Sequence, residues 1–300
     1  MMNLRKLVSR KALVVVSLLL FAFLIQSTDL NAVAIAVSRA NPAYIFLSLA
    51  AAACSVGFKT LRWLALLREK RGVSFQRLFA VQASGLAVSN LSPGKLLEPF
   101  KVIPLRKDGF SYSFLVTSVF WERAFDLVIL FALSLGALST LDSRLAPVLQ
   151  LGLLALAAAV FVMFRKSAGL FKLLSHFGPL RFFEKIEAHN FKKRSLLASF
   201  VLTWFAWLCD FAGIYFAFLA LGTPIDFAKI ATSFSSAVLF GIVTLLPGGF
   251  GSTEAALVAL LATPAYTASQ VIAGVFLGRA CTVGFTTAGG FALLPTVKKE

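Results

Sequence analysis

Apolar residues run along this chain in long blocks, and the charges and Pro/Gly turns between them set the predicted elements. Uninterrupted blocks at about 12–28, 44–67, 112–139, 147–165, 195–221 and 267–296 predict six helices that each cross a bilayer. About 20 apolar residues suffice to span its hydrocarbon. Two further apolar stretches, 75–98 and 228–262, are broken in the middle. The first is broken by Pro93-Gly94 and the second by Pro247-Gly248-Gly249-Phe250-Gly251. Each arm is too short to cross hydrocarbon alone. Both therefore predict re-entrant hairpins, which a membrane tolerates only where other protein buries the broken backbone. The expected fold class is all-α: a polytopic helical membrane protein with about six transmembrane helices and two re-entrant hairpins, forming one membrane domain over 1–300.

Composition agrees with that pattern. The chain is 59% hydrophobic and only 14% charged, with a mean hydropathy of +0.86, where soluble chains carry about 25% charged residues. The net charge of +16 is unevenly placed. Most Lys and Arg fall in the N-terminus, the 68–77 loop, the 95–107 segment, the 165–194 loop and the C-terminus. Only Arg39, Arg144 and Lys229 fall in the opposite loops. The positive-inside rule then places both termini on the cytoplasmic side of the plasma membrane, which needs an even number of crossings. Arg5, Lys6, Arg10 and Lys11 before the apolar run Ala12 to Ile25 resemble a secretory signal. The small-residue site Ala34-Ile35-Ala36 lies too far beyond that run, so an uncleaved first span is expected. The stretch 168–194 interleaves Phe and Leu with Lys and Arg and suits helices lying against anionic headgroups, as a linker at about 166–194. Nucleic-acid binding is not expected, because nothing resembles a folded binding module.

An internal repeat sits on either side of that linker. Val119-Phe120-x-x-Arg123-Ala124 returns as Val275-Phe276-x-x-Arg279-Ala280, an offset of 156 residues. At the same offset Glu98 returns as Glu254, Gly85 as Gly241, Gly57 as Gly213 and Ser113 as Ser269. Each half, about 42–140 and 195–297, is span, broken hairpin, long span. The charge pattern gives the halves opposite orientations, an inverted-repeat plan that recurs among transporters.

Ionisable residues inside the apolar segments carry the functional expectation. Glu122, Arg123, Asp126, Asp210, Glu254 and Arg279 lie within them, with Lys95 and Glu98 at the first hairpin's turn. Each costs about 2.5–3.5 kcal/mol on insertion scales if it faces lipid, so each needs a partner or a polar cavity. Two readings stand side by side. In one, Glu98 and Glu254 pair with Arg123 and Arg279 and clamp each hairpin to its long span. In the other, the same groups line a pocket and bind substrate. Gly248, Gly249 and Gly251 let backbone N–H groups turn into a concave nest ahead of the helix opened by Ser252-Thr253-Glu254, a place that accepts phosphate or carboxylate. Glu254 can occupy that place itself. Pro93-Gly94-Lys95 offers a related turn with a full cation. Trp121, Trp204 and Trp207 read as packing or belt aromatics, and Asp126 and Asp210 as conceivable proton carriers.

Other chemistry is not expected. Cys54, Cys209 and Cys281 lie far apart in apolar stretches and read as small buried hydrophobes. His176 and His189 fall in the basic segment, away from carboxylates, at the interface or in solvent. No phosphate-binding loop of an ATPase, no nucleophile-base set and no metal-ligand cluster is visible, so no catalytic residue, metal or cofactor is expected.

SNLSPGKLLEPFKVIPLRKDGFS at 89–111, WERAFDL at 121–127 and TLLPGGFGSTEAAL at 244–257 resemble the lysylphosphatidylglycerol synthase transmembrane region, also called the flippase-like domain family. The resemblance covers about residues 10 to 296. It implies a membrane domain that moves anionic, aminoacylated or polyprenyl-linked lipids between leaflets. By position it places Pro93, Gly94, Glu98, Glu122, Arg123 and Asp126 in the first motif region, and Pro247, Gly248, Gly249, Gly251, Glu254 and Arg279 in the second. The chain departs from the family pattern at Leu97, where a Gly is usual, at Lys101, where an Arg is usual, and at Thr282 and Val283, where an aromatic often follows the late Arg. The chain ends at Glu300 without the aminoacyl-transfer domain of full synthases, so lipid aminoacylation is not expected of it. The expected function is lipid translocation, with a headgroup phosphate held by Lys95, Arg123, Arg279 and the glycine turn. The alternatives are an accessory subunit presenting lipid to a separate lipid-modifying enzyme, and an intramembrane enzyme acting on lipid phosphates through Glu and Asp.

Overall fold

The computed structural model describes residues 37–70, 72–92, 98–139, 189–244 and 249–299, together with Asn31 and Ile35. The spans expected at 12–28 and 147–165, most of the 166–194 linker, and the turn residues Pro93, Gly94, Lys95, Pro247 and Gly248 lie outside the described residues. Within them the regular structure is helical, without strands. In chain order the helices are α1 (Pro42–Leu67), α2 (Phe75–Asn90), a 3-10 turn (Glu98–Lys101) leading into α3 (Val102–Lys107), and α4 (Tyr112–Ser139). There follow α5 (Lys193–Ala220), α6 (Phe227–Val243), α7 (Ser252–Leu261) and α8 (Ala268–Arg279). A π-helical turn, Ala280–Gly284, then carries α8 into α9 (Phe285–Lys299).

Three stretches among the described residues are long and apolar enough to cross a bilayer: Pro42–Leu67, Lys193–Ala220 and Ala268–Val297. Helix α4 is as long as α5, at 28 residues, but carries Glu122, Arg123 and Asp126 in its middle. Large apolar side chains stand exposed on these helices, including Phe46, Leu197, Val201, Phe205 and Phe285, as hydrocarbon rather than water would allow. An apolar groove of about 450 Å³ runs between α1 and α5, lined by Leu47, Cys54, Phe205, Leu208, Cys209 and Phe216 among others. Cys54 is therefore exposed along this groove rather than buried, which corrects the expectation for that residue.

The most extensive helix contact joins α1 and α5. Pro42 and the Asn41 side chain, which accepts from the Ala43 N–H, start α1, and the Asn41 N–H donates to the Ala220 carbonyl at 2.8 Å. The start of α1 thus meets the end of α5, and the two run antiparallel. Small residues are buried on both helices, Ser48, Ala52 and Ser55 on α1 and Ala206, Gly213 and Ala217 on α5. The Ser48 hydroxyl donates to the Gly213 carbonyl at 2.7 Å. Close backbone approach over small residues is the usual way helices adhere in lipid.

The broken stretches then pack crosswise. Helix α2 lies on α9: the Ser84 hydroxyl donates to the Gly290 carbonyl at 3.1 Å, and Asn90 Nδ2 donates to Thr287 Oγ1 at 2.8 Å. Helix α6 lies on α4, with Phe234, Ala237 and Leu239 joining Ile129, Leu130 and Phe131 in one apolar cluster. A second apolar cluster gathers Trp63, Leu66, Leu78, Leu105, Phe114, Leu115 and Val297. The charged residues in the middle of α4 fall in sequence between the residues α4 gives to these two clusters.

The 95–107 segment, whose cations are expected on the cytoplasmic side, is not a solvated loop throughout: Lys101, Val102 and Leu105 are buried, with Lys101 among carboxylates.

Candidate functional site

Residues from α1, α2, the 3-10 turn, α4 and α5 converge on one buried polar cluster. At its centre Arg62 on α1 is wholly buried. Its Nε donates to Glu122 Oε1 at 2.9 Å, while Nη1 and Nη2 reach the two carboxylate oxygens of Asp126 at 2.6 and 3.2 Å. Glu122 and Asp126 are four apart on α4 and so present both acids on one face. Lys101 Nζ donates to Glu122 Oε2 at 2.7 Å and to Gln82 Oε1 on α2 at 2.9 Å, and lies 3.4 Å from Glu98 Oε1. It also sits 4.3 Å from the centre of the Trp63 ring, a cation–π contact that offsets part of its desolvation. Trp63 is itself held by an indole N–H donated to Ser118 Oγ at 2.8 Å. Arg123 Nη2 lies 2.9 Å from Glu98 Oε1 and 2.8 Å from Asp126 Oδ2.

The cluster balances three acids, Glu98, Glu122 and Asp126, against three cations, Arg62, Lys101 and Arg123. Its members differ in access. Arg62, Lys101 and Glu122 side chains are fully buried, whereas that of Arg123 is 36% exposed. Three atoms of the cluster are buried with no hydrogen-bond partner among the described residues: Glu98 Oε2, Arg123 Nε and Gln82 Nε2. Buried polar atoms are normally satisfied, so these mark where the cluster is incomplete.

Beside it, Lys59 Nζ donates to Asp210 Oδ2 at 2.7 Å, joining α1 to α5. Trp207 bridges the two sets: its indole N–H donates to Asp126 Oδ1 at 2.9 Å, and Lys59 lies 5.8 Å from its ring centre. Trp207 is thus a hydrogen-bonding member of the site and not packing alone.

The second hairpin carries a simpler arrangement. Arg279 Nε donates to Glu254 Oε1 at 2.6 Å, and the Gly251 N–H donates to Glu254 Oε2 at 2.7 Å. Both side chains are nearly buried, at 8% and 3% exposed. Gly249 and Gly251 have φ of +70° and +86°, a region that only glycine enters cheaply. The Gly251 amide is therefore occupied by the chain's own carboxylate, the N3 half of a capping box at the start of α7. Arg279 stacks 5.8 Å from the Phe250 ring centre.

Of the residues singled out in the sequence, Glu98, Glu122, Arg123 and Asp126 come together in one cluster. Asp210 adjoins it through Trp207. Glu254, Gly251 and Arg279 form a separate site. Both expected pairs, Glu98 with Arg123 and Glu254 with Arg279, are present. Arg62, Lys59, Lys101 and Gln82 were not assigned to the site from the sequence. A charge count would have found three of them: four acids in oil against Arg123 require further cations, and Lys59, Arg62 and Lys101 supply them. His189 departs from expectation too. Its Nε2 lies 3.5 Å from Glu69 Oε2, and its ring packs edge-on against Phe114 and Phe191. Among the described residues no group of His, Cys, Asp and Glu has metal-site geometry.

The chain is similar to a UPF0104 membrane protein of Methanothermobacter thermautotrophicus, with 23% identity over 94% of each chain. A UPF0104 membrane protein of Pyrococcus horikoshii is 26% identical over 72% of this chain and 76% of that one. The family described as the lysylphosphatidylglycerol synthase TM region matches residues 12–290. A membrane chain with these helices, matched over nearly its whole length, belongs to the lysylphosphatidylglycerol synthase transmembrane-region family.

Proposed function

We propose that this protein translocates a phosphate-bearing lipid between leaflets, with the headgroup entering the buried cluster at Arg123. One observation carries the reading. A neutral, buried set of three acids and three cations has a single partly exposed member, Arg123, and unsatisfied atoms on both Arg123 and its partner Glu98. Charges taken out of water are stabilised only where partners and hydrogen bonds are complete. An incomplete cluster beside an opening suits a visiting ligand, and a guanidinium with an orphan N–H suits phosphate. Acyl chains would remain in hydrocarbon, where the apolar groove between α1 and α5 offers a bed.

The repeat supports a mechanism by rocking. Residues 42–140 and 195–297 are read as inverted halves of one membrane domain, because each contributes a Glu–Arg pair and each broken stretch packs on the other half's long helix. Such crosswise packing lets one half move against the other about a fixed site. Glu254 and Arg279 act in this reading as the clamp of the second hairpin, with the glycine turn supplying its bend. Both termini are assigned to the cytoplasmic side of the plasma membrane, from the placement of Lys and Arg.

The test is a leaflet-specific assay with fluorescent phosphatidylglycerol in proteoliposomes. Wild-type protein is expected to equilibrate the lipid between leaflets. Arg123→Ala, shown to be folded by size-exclusion elution, is expected to lose that activity. Unchanged translocation in the folded variant would remove Arg123 from the site and the reading with it.

A further inference from the structure

Resting on the translocation reading above, we propose that the site takes up one proton on Glu98 as it binds phosphate, so that an anionic lipid crosses with a proton as an electroneutral pair. The argument begins from charge. Among the described residues the cluster sums to zero, and a phosphate diester adds one negative charge to a buried, low-dielectric place. Arg123 Nη2 is already shared between Glu98 Oε1 and Asp126 Oδ2, so a phosphate at this guanidinium competes with both carboxylates for it. An uncompensated buried anion is strongly disfavoured, so the site needs a positive charge that arrives with the ligand.

The hydrogen-bond inventory selects where it goes. Of the six carboxylate oxygens in the cluster, five have donors. Glu122 Oε1 is held by Arg62 and Oε2 by Lys101. Asp126 Oδ1 receives Arg62 and Trp207, while Oδ2 receives Arg62 and faces Arg123. Glu98 Oε1 faces Lys101 and Arg123. Glu98 Oε2 is buried and has no partner among the described residues. It is the oxygen free to accept a proton.

Every element packed around Glu98 leaves that assignment standing. Its own turn brings Lys101, α4 brings Glu122, Arg123 and Asp126, α1 brings Arg62, and α2 brings the uncharged Gln82. When Arg123 turns to the phosphate, Glu98 keeps, among the described residues, Lys101 at 3.4 Å, whose shorter bonds go to Glu122 and Gln82. The proton comes from water at the Arg123 opening and forms one O–H bond on Oε2. The protonated carboxyl then donates to a phosphate oxygen while Arg123 donates to another. On release the O–H bond breaks and the proton returns to water on the far side.

The experiment uses the full chain in phosphatidylcholine vesicles holding a trace of fluorescent phosphatidylglycerol, with pH gradients and potassium diffusion potentials imposed separately. Wild-type translocation is expected to accelerate several-fold toward the alkaline side and to ignore the potential. Equilibrium binding is expected to tighten by up to about tenfold per unit fall in pH, the limit for one linked proton. Glu98→Gln cannot take the proton. It is expected to lose the gradient response and to become sensitive to potential, since the anion would then cross uncompensated. Translocation driven by potential and indifferent to pH in wild-type protein would overturn the coupling alone, a result that needs no variant. Absence of wild-type lipid movement under every gradient would overturn the translocation reading as well. Inorganic phosphate in place of the lipid is expected to show no flux; its movement instead of the lipid's would overturn the lipid source.

Discussion

The two halves of the molecule build the same clamp and then diverge around it. Glu98 meets Arg123 in the first half and Glu254 meets Arg279 in the second, each pair 25 residues apart. At the offset of 156 that relates them, the other charged members of the first cluster have no charged counterparts. Arg62 corresponds to Phe218, Lys101 to Leu257, Glu122 to Gly278 and Asp126 to Thr282. Phe218 and Leu257 are wholly buried in an apolar cluster, and Phe218 packs where a side chain at Gly274 would stand. A clamp alone therefore needs one acid and one base, and oil can close around them. The first half carries charges that a clamp does not require, and that difference supports the proposal that the ligand site lies at the first hairpin and the structural clamp at the second.

Breaking the comparison begins at its centre. Arg62→Leu leaves Glu122 and Asp126 buried without their main cation and is expected to cost about 3–5 kcal/mol, seen as lost folded yield and thermal stability in detergent. Phe218→Leu at the matching position removes packing only, on the order of 1 kcal/mol. Equal losses at the two positions would remove the distinction between the halves.

Next in size is the second clamp. Arg279→Leu alone is expected to cost about 3 kcal/mol, because it strands Glu254, while Glu254→Leu added to it recovers most of that loss. Translocation is expected to survive in the double variant; a folded double variant without activity would place this pair in the ligand site instead.

Smaller effects test how closely the hairpins dock. A Cβ at Gly85 would stand 2.6 Å from Lys101 Cβ, and one at Gly241 would overlap Thr253 Oγ1. Gly85→Ala and Gly241→Ala are each expected to cost about 1–3 kcal/mol in thermal or denaturant unfolding. Gly57→Ala meets nothing within 4 Å and is expected to stay within about 0.5 kcal/mol. Arg123→Ala is expected to disturb stability least among the charged residues, since its side chain is 36% exposed, and yet to abolish translocation. A stability loss as large as that of Arg62→Leu would make Arg123 a structural residue.

Much of this was legible before any coordinates. The apolar blocks predicted α1, α4, α5 and the α8–α9 stretch because backbone hydrogen bonds in oil must close within a helix. The Pro/Gly turns predicted the breaks, and insertion cost required partners for Glu98, Arg123, Glu254 and Arg279. The π-helical turn at Ala280–Gly284 was not legible, since no residue there breaks a helix as Pro does. The burial of Lys101 was not legible for a related reason: beside Arg106 and Lys107 it looks like one more solvated loop cation.

The sequence by itself determined that this chain lives in a membrane, where its helices run, and that its intramembrane acids and bases must be answered, because the cost of a charge in hydrocarbon does not depend on the fold. Beyond the two Glu–Arg pairs, only the tertiary structure decided which charge answers which. Arg62 and Glu122 are 60 residues apart, as Lys59 and Asp210 are 151, and no local pattern links them. Their pairing follows from how α1 packs on α4 and α5.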